Sequence, residues 1–257
     1  MEYILDKSTR SAQTTQENNP DNIIVDTDYG KMIINRHDTI RGRLLATTGR
    51  SDDHNDIVML SRIIDILGDN SIVIDVGANF GTHTLALAKH AGKVFAFEPQ
   101  RPIYNILVGN VAINSLYNVY CYQLAVGDKP GKIEIPQYDY SKSMDFGAVE
   151  FGSQQRYPVD QQRMKSVEWA QMVTLDGLNF PKADMIKIDV EGMEQQVLDG
   201  ALNIIKDKQP VLFVEHFKSD KNKLIEWIEA LGYKVHINGM NILGIPTKLK
   251  ETIRVTT

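Results

Sequence analysis

Acidic residues and one histidine end or directly follow four short apolar runs of the sequence, where β-strands are expected to stop. They are Asp75, Glu98, Asp189, Glu191, Glu215 and His216. The carboxyl ends of parallel strands meet at one edge of a sheet, which is where α/β proteins bind their ligands. Like charges gathered at such an edge repel one another unless a ligand compensates them. The pattern therefore predicts a ligand-binding crevice.

The first run leads into a turn that suits a nucleotide-like ligand. Residues 72–76 are predicted as a buried strand, residues 75–81 follow the pattern D-x-G-x-N-x-G, and an apolar helix follows with Thr82 as its predicted N-cap. Such a turn presents free backbone N–H groups and the positive end of a helix dipole. Asn79 stands where a dinucleotide-binding turn has its second glycine, so a pyrophosphate does not fit. The acid at Asp75 suits a ligand with an ammonium group and no phosphate, such as the methionine part of S-adenosylmethionine.

The second acid supports a nucleoside ligand. Glu98 ends the next strand, 23 positions after Asp75, about where a βαβ unit places the acid that binds ribose hydroxyls. Each acid alone also fits a plainer role, since Asp75 could cap a turn and Glu98 could be a solvated strand end. Together, around this turn, they favour the nucleoside. A third strand over residues 119–124 is expected to wall the adenine pocket, and the candidate contacts are residues 123–126, with Gln123 and Ala125 among them.

Composition limits the class of protein. The chain has 257 residues, of which 42% are hydrophobic and 24% charged, which is typical of one globular domain with additions. A net charge of −5 offers no basic surface for nucleic acid, so that partner is disfavoured. The single Cys121 excludes a disulfide framework within the chain, and a reducing, cytoplasmic location is expected. No membrane span and no signal peptide are expected from the hydropathy pattern.

The chain divides into three predicted parts. Residues 1–22 are predicted to form a polar, flexible arm, and residues 69–257 the main domain. Residues 23–68 are predicted to form a hairpin and an amphipathic helix, with Asp52 and Asp53 before it as candidates for an N-cap acid and with Gly68 as its stop. An insertion at about residues 130–172 interrupts the βα rhythm, and its large side chains are Tyr138, Tyr140, Met144, Phe146, Phe151 and Tyr157. We interpret it as an antiparallel insertion or lid over the cofactor that sets acceptor specificity; the alternative is a hairpin that patches the sheet edge.

The alternation of predicted strands and helices resumes in the last third of the chain. Strands are predicted over residues 184–190 and 210–215, and a helix from Met193 is expected to continue through Gly200. Ser219 is the predicted cap of a further helix, which Gly232 ends. Residues 233–237 and 241–245 are predicted as a terminal hairpin.

These features together resemble the FkbM family of S-adenosylmethionine-dependent methyltransferases. The similarity covers roughly residues 70–245 and rests above all on KIDVEGMEQQVLDGA, residues 187–201, followed by PVLFVE, residues 210–215. The motifs VIDVGANFGT and IKIDVEGME, residues 73–82 and 186–194, are specific as a pair. It implies a class I methyltransferase fold, which is a Rossmann-like α/β three-layer sandwich whose seven-stranded, mostly parallel sheet has an antiparallel C-terminal strand. It also implies O-methylation of a sugar, a glycan or another small hydroxylated molecule. One departure is Asn55-Asp56, where family members often carry a glutamate in the helix before the first strand.

The resemblance extends to individual residues. It implies that the D-x-G-x-N-x-G turn holds the methionine end of the cofactor, that Glu98 holds the ribose, and that Asp189, Glu191 and Gly192 form the crevice floor. The full set of candidate cofactor residues is Asp75, Gly77, Ala78, Asn79, Gly81, Thr82, Glu98, Pro99, Gln123, Ala125 and Asp189.

Methyl transfer from a sulfonium requires alignment more than covalent catalysis, and a hydroxyl acceptor also benefits from a base. The candidate catalytic residues are Asp189, Glu191, Glu215 and His216, with His216 or a carboxylate as the general base. His216 equally fits a packed strand end, and unchanged turnover of His216→Ala would remove it as base. A further hypothesis is a divalent metal such as Mg²⁺ or Mn²⁺ held by Asp189 with Glu215 or His216, which EDTA-resistant turnover would exclude.

Other classes of function remain open. A dehydrogenase that binds NAD is disfavoured by Asn79, and a base N-methyltransferase is disfavoured because D-V-E-G, residues 189–192, stands where an N-P-P-Y-like tetrapeptide is expected. A non-catalytic Rossmann-like binding protein would keep the same cofactor residues. A methyltransferase that acts on a nucleic acid or a protein is the last alternative.

Overall fold

The computed structural model of the chain describes residues 20–151 and 164–253. The arm predicted over residues 1–22 lies outside the described residues except for its last three positions, and Asn22 already begins a strand. Tyr157 of the predicted insertion also lies outside them.

A hairpin and two helices precede the central sheet. They are β1 (Asn22–Thr27), β2 (Gly30–Asn35), α1 (Arg41–Thr48) and α2 (His54–Leu67). The antiparallel hairpin and α2, with its end at Gly68, agree with the sequence prediction, whereas α1 was not predicted. Asp53 occupies the N-cap position of α2, but its side chain accepts no hydrogen bond from that helix. It faces Arg41 instead, with Oδ2 3.4 Å from Nη2.

Two βα units and a fifth strand make the first half of the sheet. They are β3 (Ile72–Val76), α3 (Thr82–Leu87), β4 (Lys93–Phe97), α4 (Arg101–Ile113) and β5 (Val119–Tyr122). The predicted strands are present, although β5 ends two residues early. The predicted N-cap at Thr82 is wrong, because Gly81 occupies that position with a φ of 93° and Thr82 is the first helical residue. Glycine adopts this left-handed conformation without the strain that a β-carbon causes.

The insertion forms a separate three-stranded sheet. Its strands are β6 (Ala125–Val126), β7 (Gly131–Tyr138) and β8 (Met164–Val173). Strands β7 and β8 pair antiparallel, and β6 runs parallel to β8. The antiparallel character predicted for this stretch is therefore present in the structure.

The second half of the sheet carries two corrections. Its elements are β9 (Met185–Ile188), α5 (Glu194–Asp199), α6 (Leu202–Lys208), β10 (Val211–Glu215), α7 (Lys221–Ala230), β11 (Tyr233–Asn238) and β12 (Asn241–Pro246). The helix predicted to pass through Gly200 is wrong, since α5 ends there and α6 begins after Ala201. The predicted cap at Ser219 is also wrong. Asp220 caps α7 by accepting from two backbone N–H groups, and the Ser219 hydroxyl donates to Glu194.

The central sheet has seven strands in the order β11, β12, β10, β9, β3, β4 and β5. Strand β12 is antiparallel to both of its neighbours, and the pairs from β10 to β5 are parallel. This confirms the predicted Rossmann-like sheet with an antiparallel C-terminal strand.

Helices cover both faces of this sheet. Alternate residues of a strand point to opposite faces, so Val73 packs with Leu60 of α2, whereas its neighbour Ile74 belongs to the core that α5, α6 and α7 complete. Both strand residues are fully buried. The chain thus forms the predicted three-layer α/β sandwich.

The strand order reverses between β3 and β9. The chain runs outward from β3 to β4 and β5, and then returns to place β9 on the other side of β3. Parallel sheets open a ligand crevice at the carboxyl ends of their strands at such a point. Among the described residues, no helix combines the length and the apolar character that crossing a membrane requires.

Candidate active site

The glycine turn after β3 lies against the end of β9. Gly77 has a φ of 79°, and a β-carbon added there would lie 1.7 Å from the backbone oxygen of Asp189. The N–H groups of Gly77 and Ala78 both donate to the Phe97 carbonyl, at 3.0 and 2.9 Å. Only glycine fits this approach, so Gly77 brings the ends of β3, β4 and β9 together.

Asp75 lies beneath this turn rather than in the cavity. It is fully buried, accepts a hydrogen bond of 2.6 Å from the Thr84 hydroxyl, and lies 3.2 Å from the Lys187 ammonium. Lys187 Nζ also donates to the Gly77 carbonyl at 2.9 Å and lies 3.5 Å from Asp189. Burial works to lower the pKa of Lys187, but Asp75 and Asp189 outweigh it and raise that pKa. The buried ammonium therefore links the turn to the strand ends on either side.

Glu98 faces the cavity with both oxygens anchored. Its Oε2 accepts from the Asn79 N–H at 3.0 Å and its Oε1 accepts from the Gln100 N–H at 2.8 Å. The residue is 4% exposed, and burial raises the pKa of its carboxyl to about 7, against the lowering effect of those two N–H groups. A carboxyl in this position can exchange between proton donor and acceptor near neutral pH.

A single cavity joins the strand ends, the N-terminal helices and the insertion. The predicted cofactor residues that line it are Gly77, Asn79, Glu98, Pro99, Ala125 and Asp189. The remaining predicted residues, Asp75, Ala78, Gly81, Thr82 and Gln123, lie outside this lining. Ala78 and Thr82 are buried in the turn and helix, and Gln123 is exposed to solvent. The first group is thus in a position to touch a ligand, and most of the second supports it from behind.

The segment 144–151 of the insertion lies over the cavity. Asp145, residues 147–149 and Phe151 line it. The segment is held by hydrogen bonds from the Gln100 side chain to the Phe146 carbonyl at 3.2 Å and from Lys218 Nζ to the Ala148 carbonyl at 2.8 Å. This part of the insertion is therefore held to the residues that follow β4 and β10, and its role as a lid stays a prediction.

Three acids converge at the floor. Carboxylate oxygens of Asp189, Glu191 and Glu215 all lie within 4.8 Å of one another. Burial works to raise the pKa of Asp189, but Lys187 and Arg41 outweigh it, so that pKa is lowered. Burial, with the nearby Asp189, raises the pKa of Glu191 to about 7 and that of Glu215 to about 9. One member is thus held ionised, and the other two carry protons more readily.

His216 does not join this group. It lies outside the cavity lining, and its backbone N–H donates to the Met240 carbonyl at 2.9 Å. Neighbouring residues at a strand end point to opposite sides, so the direction that brings Glu215 to the crevice takes His216 away from it. The proposal of His216 as a base or metal ligand lacks support from this geometry.

The three carboxylates form the group of potential metal ligands that the described part of the chain contains. Oxygen ligands of this kind suit Mg²⁺ or Mn²⁺. However, the Lys218 ammonium lies 2.8 Å from a Glu191 oxygen and already supplies positive charge there. Metal binding by Asp189 and Glu215 stays a hypothesis.

Three cationic residues of the site were not singled out in the sequence. Lys187 had a local signal, since a lysine inside the apolar run MIKID must be paired when that strand is buried. Arg41, which lines the cavity, and Lys218 had none, because their partners are distant in sequence.

The sheet order with one reversed strand, and a cavity at the carboxyl ends around the switch point, define a class I methyltransferase fold. A family model described as the methyltransferase FkbM domain matches residues 75–235, and the chain belongs to this family of methyltransferases.

Individual proteins resemble the chain at low sequence identity. Methyltransferase sdnD of Sordaria araneosa is 24% identical over 201 residues, which cover 68% of this chain and 73% of that protein. Hexuronic acid methyltransferase AglP of Haloferax volcanii is 24% identical over 195 residues, 72% of each chain. The crystal structure of methyltransferase FkbM from Methylobacillus flagellatus superposes with a TM-score of 0.52 at 15% identity. That match covers 68% of this chain and 44% of the solved one, so this chain spans less than half of that structure.

Proposed function

We propose that this protein transfers the methyl group of S-adenosylmethionine to a hydroxyl oxygen of a sugar, a glycan or another small hydroxylated molecule. The observation that carries the proposal is the placement of Glu98 beside the glycine turn, in a cavity at the switch point of the sheet. Membership of the FkbM family supports methyl transfer, and the similarity to a hexuronic acid methyltransferase supports a sugar-like acceptor.

The residues present fit S-adenosylmethionine. Glu98 offers its carboxyl to the two ribose hydroxyls, and Pro99 and Leu124 offer apolar surface for the adenine. Asp189 and the other acids of the floor suit the positively charged methionine end. The cavity lining shows no glycine-rich cradle for phosphate, since Asn79 takes the place of the glycine that a pyrophosphate needs.

When bound, S-adenosylmethionine supplies a methyl group whose bond to sulfur breaks as the acceptor oxygen attacks it, leaving the electron pair on sulfur. The protein must then orient the acceptor and remove its proton. We assign the proton to Glu191, because it lines the cavity and burial raises its pKa to about 7, close to the working pH. Lys218, 2.8 Å from Glu191, holds that carboxyl in place.

Titration calorimetry with S-adenosylmethionine, S-adenosylhomocysteine, NAD and ATP tests the cofactor. The first two should bind and the last two should not. Glu98→Ala should weaken both by about 10- to 100-fold, because a charge-assisted hydrogen bond contributes roughly 1.5 to 3 kcal/mol. Glu98→Gln, which keeps the shape of the side chain, should have affinities between those of the native protein and Glu98→Ala. Glu226→Ala, at an exposed site on α7, is the control and should bind both ligands like the native protein.

The result decides between the classes. Binding of NAD alone would favour a dehydrogenase instead. If the native protein bound neither S-adenosylmethionine nor S-adenosylhomocysteine, the proposal would be refuted. If the cofactor binds, a mass-spectrometric screen of sugars and uronic acids for a 14 Da gain, about one added CH₂, tests the acceptor. Methylation confined to nucleic acid or protein substrates would contradict the small-molecule acceptor.

A further inference from the structure

Arg41 is a cation in the cavity wall that lies outside the stretch matched by the family model. It is the first residue of α1, it lines the cavity, and its side chain is only 20% exposed. Its contacts are incomplete, because Nη2 lies 3.4 Å from Asp53, Nε lies 3.8 Å from Asp52, and Nε has no hydrogen-bond partner. A guanidinium presents five N–H donors, so this one retains capacity for a further acceptor.

The start of α1 is built to hold this position. Asp38 Oδ1 accepts from the Gly42 N–H at 2.7 Å and from the Ile40 N–H at 3.2 Å. Its other oxygen accepts from the Phe146 N–H at 3.2 Å, in the segment that covers the cavity. A β-carbon at Gly42 would lie 2.7 Å from the Asp38 side chain. The helix start, and with it Arg41, is therefore tied to the cover of the site.

Arg41 lines the same cavity as Gly77 of the glycine turn and Asp189. Burial works to lower its pKa, but the carboxylates of Asp53 and Asp189 outweigh it. Arg41 in turn acts on the pKa of Lys187, which donates to the Gly77 carbonyl. A cation and an anion, Arg41 and Asp189, thus line the same cavity and interact electrostatically.

We propose that Arg41 binds the carboxylate of the cofactor's methionine moiety while Asp189 receives the neighbouring ammonium. This inference rests on the proposed function and names the residue that recognises one end of its cofactor. An amino acid carries both charges on one carbon, so its recognition needs opposite charges side by side. A guanidinium matches a carboxylate with two parallel hydrogen bonds, whereas a lysine ammonium offers only a point charge.

The test compares two ligands that differ in this carboxylate. Calorimetry measures the affinity of S-adenosylhomocysteine and of its decarboxylated form, which keeps the ammonium. Arg41→Met should weaken the first by about 10- to 100-fold and the second by less than about threefold. Arg41→Lys should lose less affinity for S-adenosylhomocysteine, because lysine keeps the positive charge but not the paired donors of the guanidinium. Arg43→Met, on the exposed side of α1, is the matched control and should leave both affinities unchanged.

The outcomes separate this inference from the proposed function. If native protein binds neither ligand, the proposed function fails. If native protein binds S-adenosylhomocysteine and Arg41→Met binds it equally well, the inference is overturned. An equal loss for both ligands in Arg41→Met and Arg41→Lys, checked by thermal unfolding, also overturns it, because a merely structural ion pair does not discriminate between them.

Discussion

At the scale of single residues, the Lys187 ammonium compensates two carboxylates that the sheet and its turn bury. It lies 3.2 Å from Asp75 and 3.5 Å from Asp189, and it is 3% exposed. A buried pair adds little to stability compared with apolar residues, but removal of one partner leaves an uncompensated charge. Lys187 is therefore needed chiefly to compensate the charges of Asp75 and Asp189.

Lys187→Met should lower the free energy of unfolding at pH 7 by about 3 to 5 kcal/mol, the usual cost of breaking a buried pair. Lys187 is the main charge that lowers the pKa of Asp189, so its loss raises that pKa. The loss of stability should shrink as the pH falls and Asp189 takes up a proton. Urea unfolding at pH 7 and pH 5 measures both effects, with Lys206→Met on the exposed side of α6 as control.

A Lys187→Met protein as stable as the control at pH 7 would contradict the assigned pairing. A loss that grows on acidification would mean that a group other than Asp189 carries the effect.

The residues of the site were predictable to different degrees. Glu98 and Asp189 end buried strands, and the topology alone brings such ends to one crevice. Asp75 carried the same signal, yet it lies below the turn because the residue at that strand position faces Lys187. Arg41 and Lys218 were not predicted, since no local sequence pattern indicates which residues from other parts of the chain a charged side chain will contact.

At the scale of elements, the parallel strands were the most predictable, because burial on both faces makes each a short continuous apolar run. Helix α1 was missed because RGRLLATT has only two buried residues and no apolar stripe. The break between α5 and α6 was missed for a tertiary reason. Asp176 accepts from the N–H groups of Asn203 and Ile204, at 3.0 and 2.9 Å, and so starts α6 from outside the helix.

Gly200 gives a test of how closely the end of α5 packs on a neighbouring loop. Its backbone packs on the loop after β6, and an added β-carbon would lie 2.0 Å from the Gly127 carbonyl oxygen. Gly200→Ala should lower the free energy of unfolding by about 2 to 3 kcal/mol, because the helix pair must move away from that loop. Gly131→Ala, where the β-carbon would meet nothing within 4 Å, is the control and should change it by at most about 0.5 kcal/mol.

Guanidinium unfolding of the two variants measures the difference. Equal stability of both would mean that the loop after β6 moves at little cost and that this contact does not stabilise the fold.

At the scale of the whole molecule, the acidic character of the chain is concentrated where the cofactor is proposed to bind. The net charge is −5, and one cavity is lined by six acids and only two cations. The acids are Asp52, Glu98, Asp145, Asp189, Glu191 and Glu215, and the cations are Arg41 and Lys218. S-adenosylmethionine carries a positive sulfonium that S-adenosylhomocysteine lacks. An acidic cavity therefore favours the substrate form of the cofactor over its product, which assists release after transfer.

Proton linkage follows from the same charges. In the free protein, burial raises the pKa of Glu98 and Glu191 to about 7 and that of Glu215 to about 9. The folded state then binds more protons than the unfolded state, in which these groups titrate near pH 4.5, so its stability falls as the pH rises from about 5 to about 9. A bound cation favours the ionised carboxylates and lowers these pKa values. Binding therefore releases protons and strengthens as the pH rises.

Calorimetry between about pH 5.5 and about pH 6.5, where the ligand's own amino group stays protonated, tests both the proton release and the gain in affinity with pH. The dissociation constant of S-adenosylmethionine should fall by roughly tenfold or more over this range, since each group that must lose a proton contributes up to tenfold per pH unit. The corresponding change for S-adenosylhomocysteine should be smaller, because it lacks the sulfonium charge. Repeating the titration in buffers of different ionisation enthalpy counts the protons released. Proton uptake, or an equal pH dependence for the two ligands, would contradict the view that the acids of the cavity respond to the charge on sulfur.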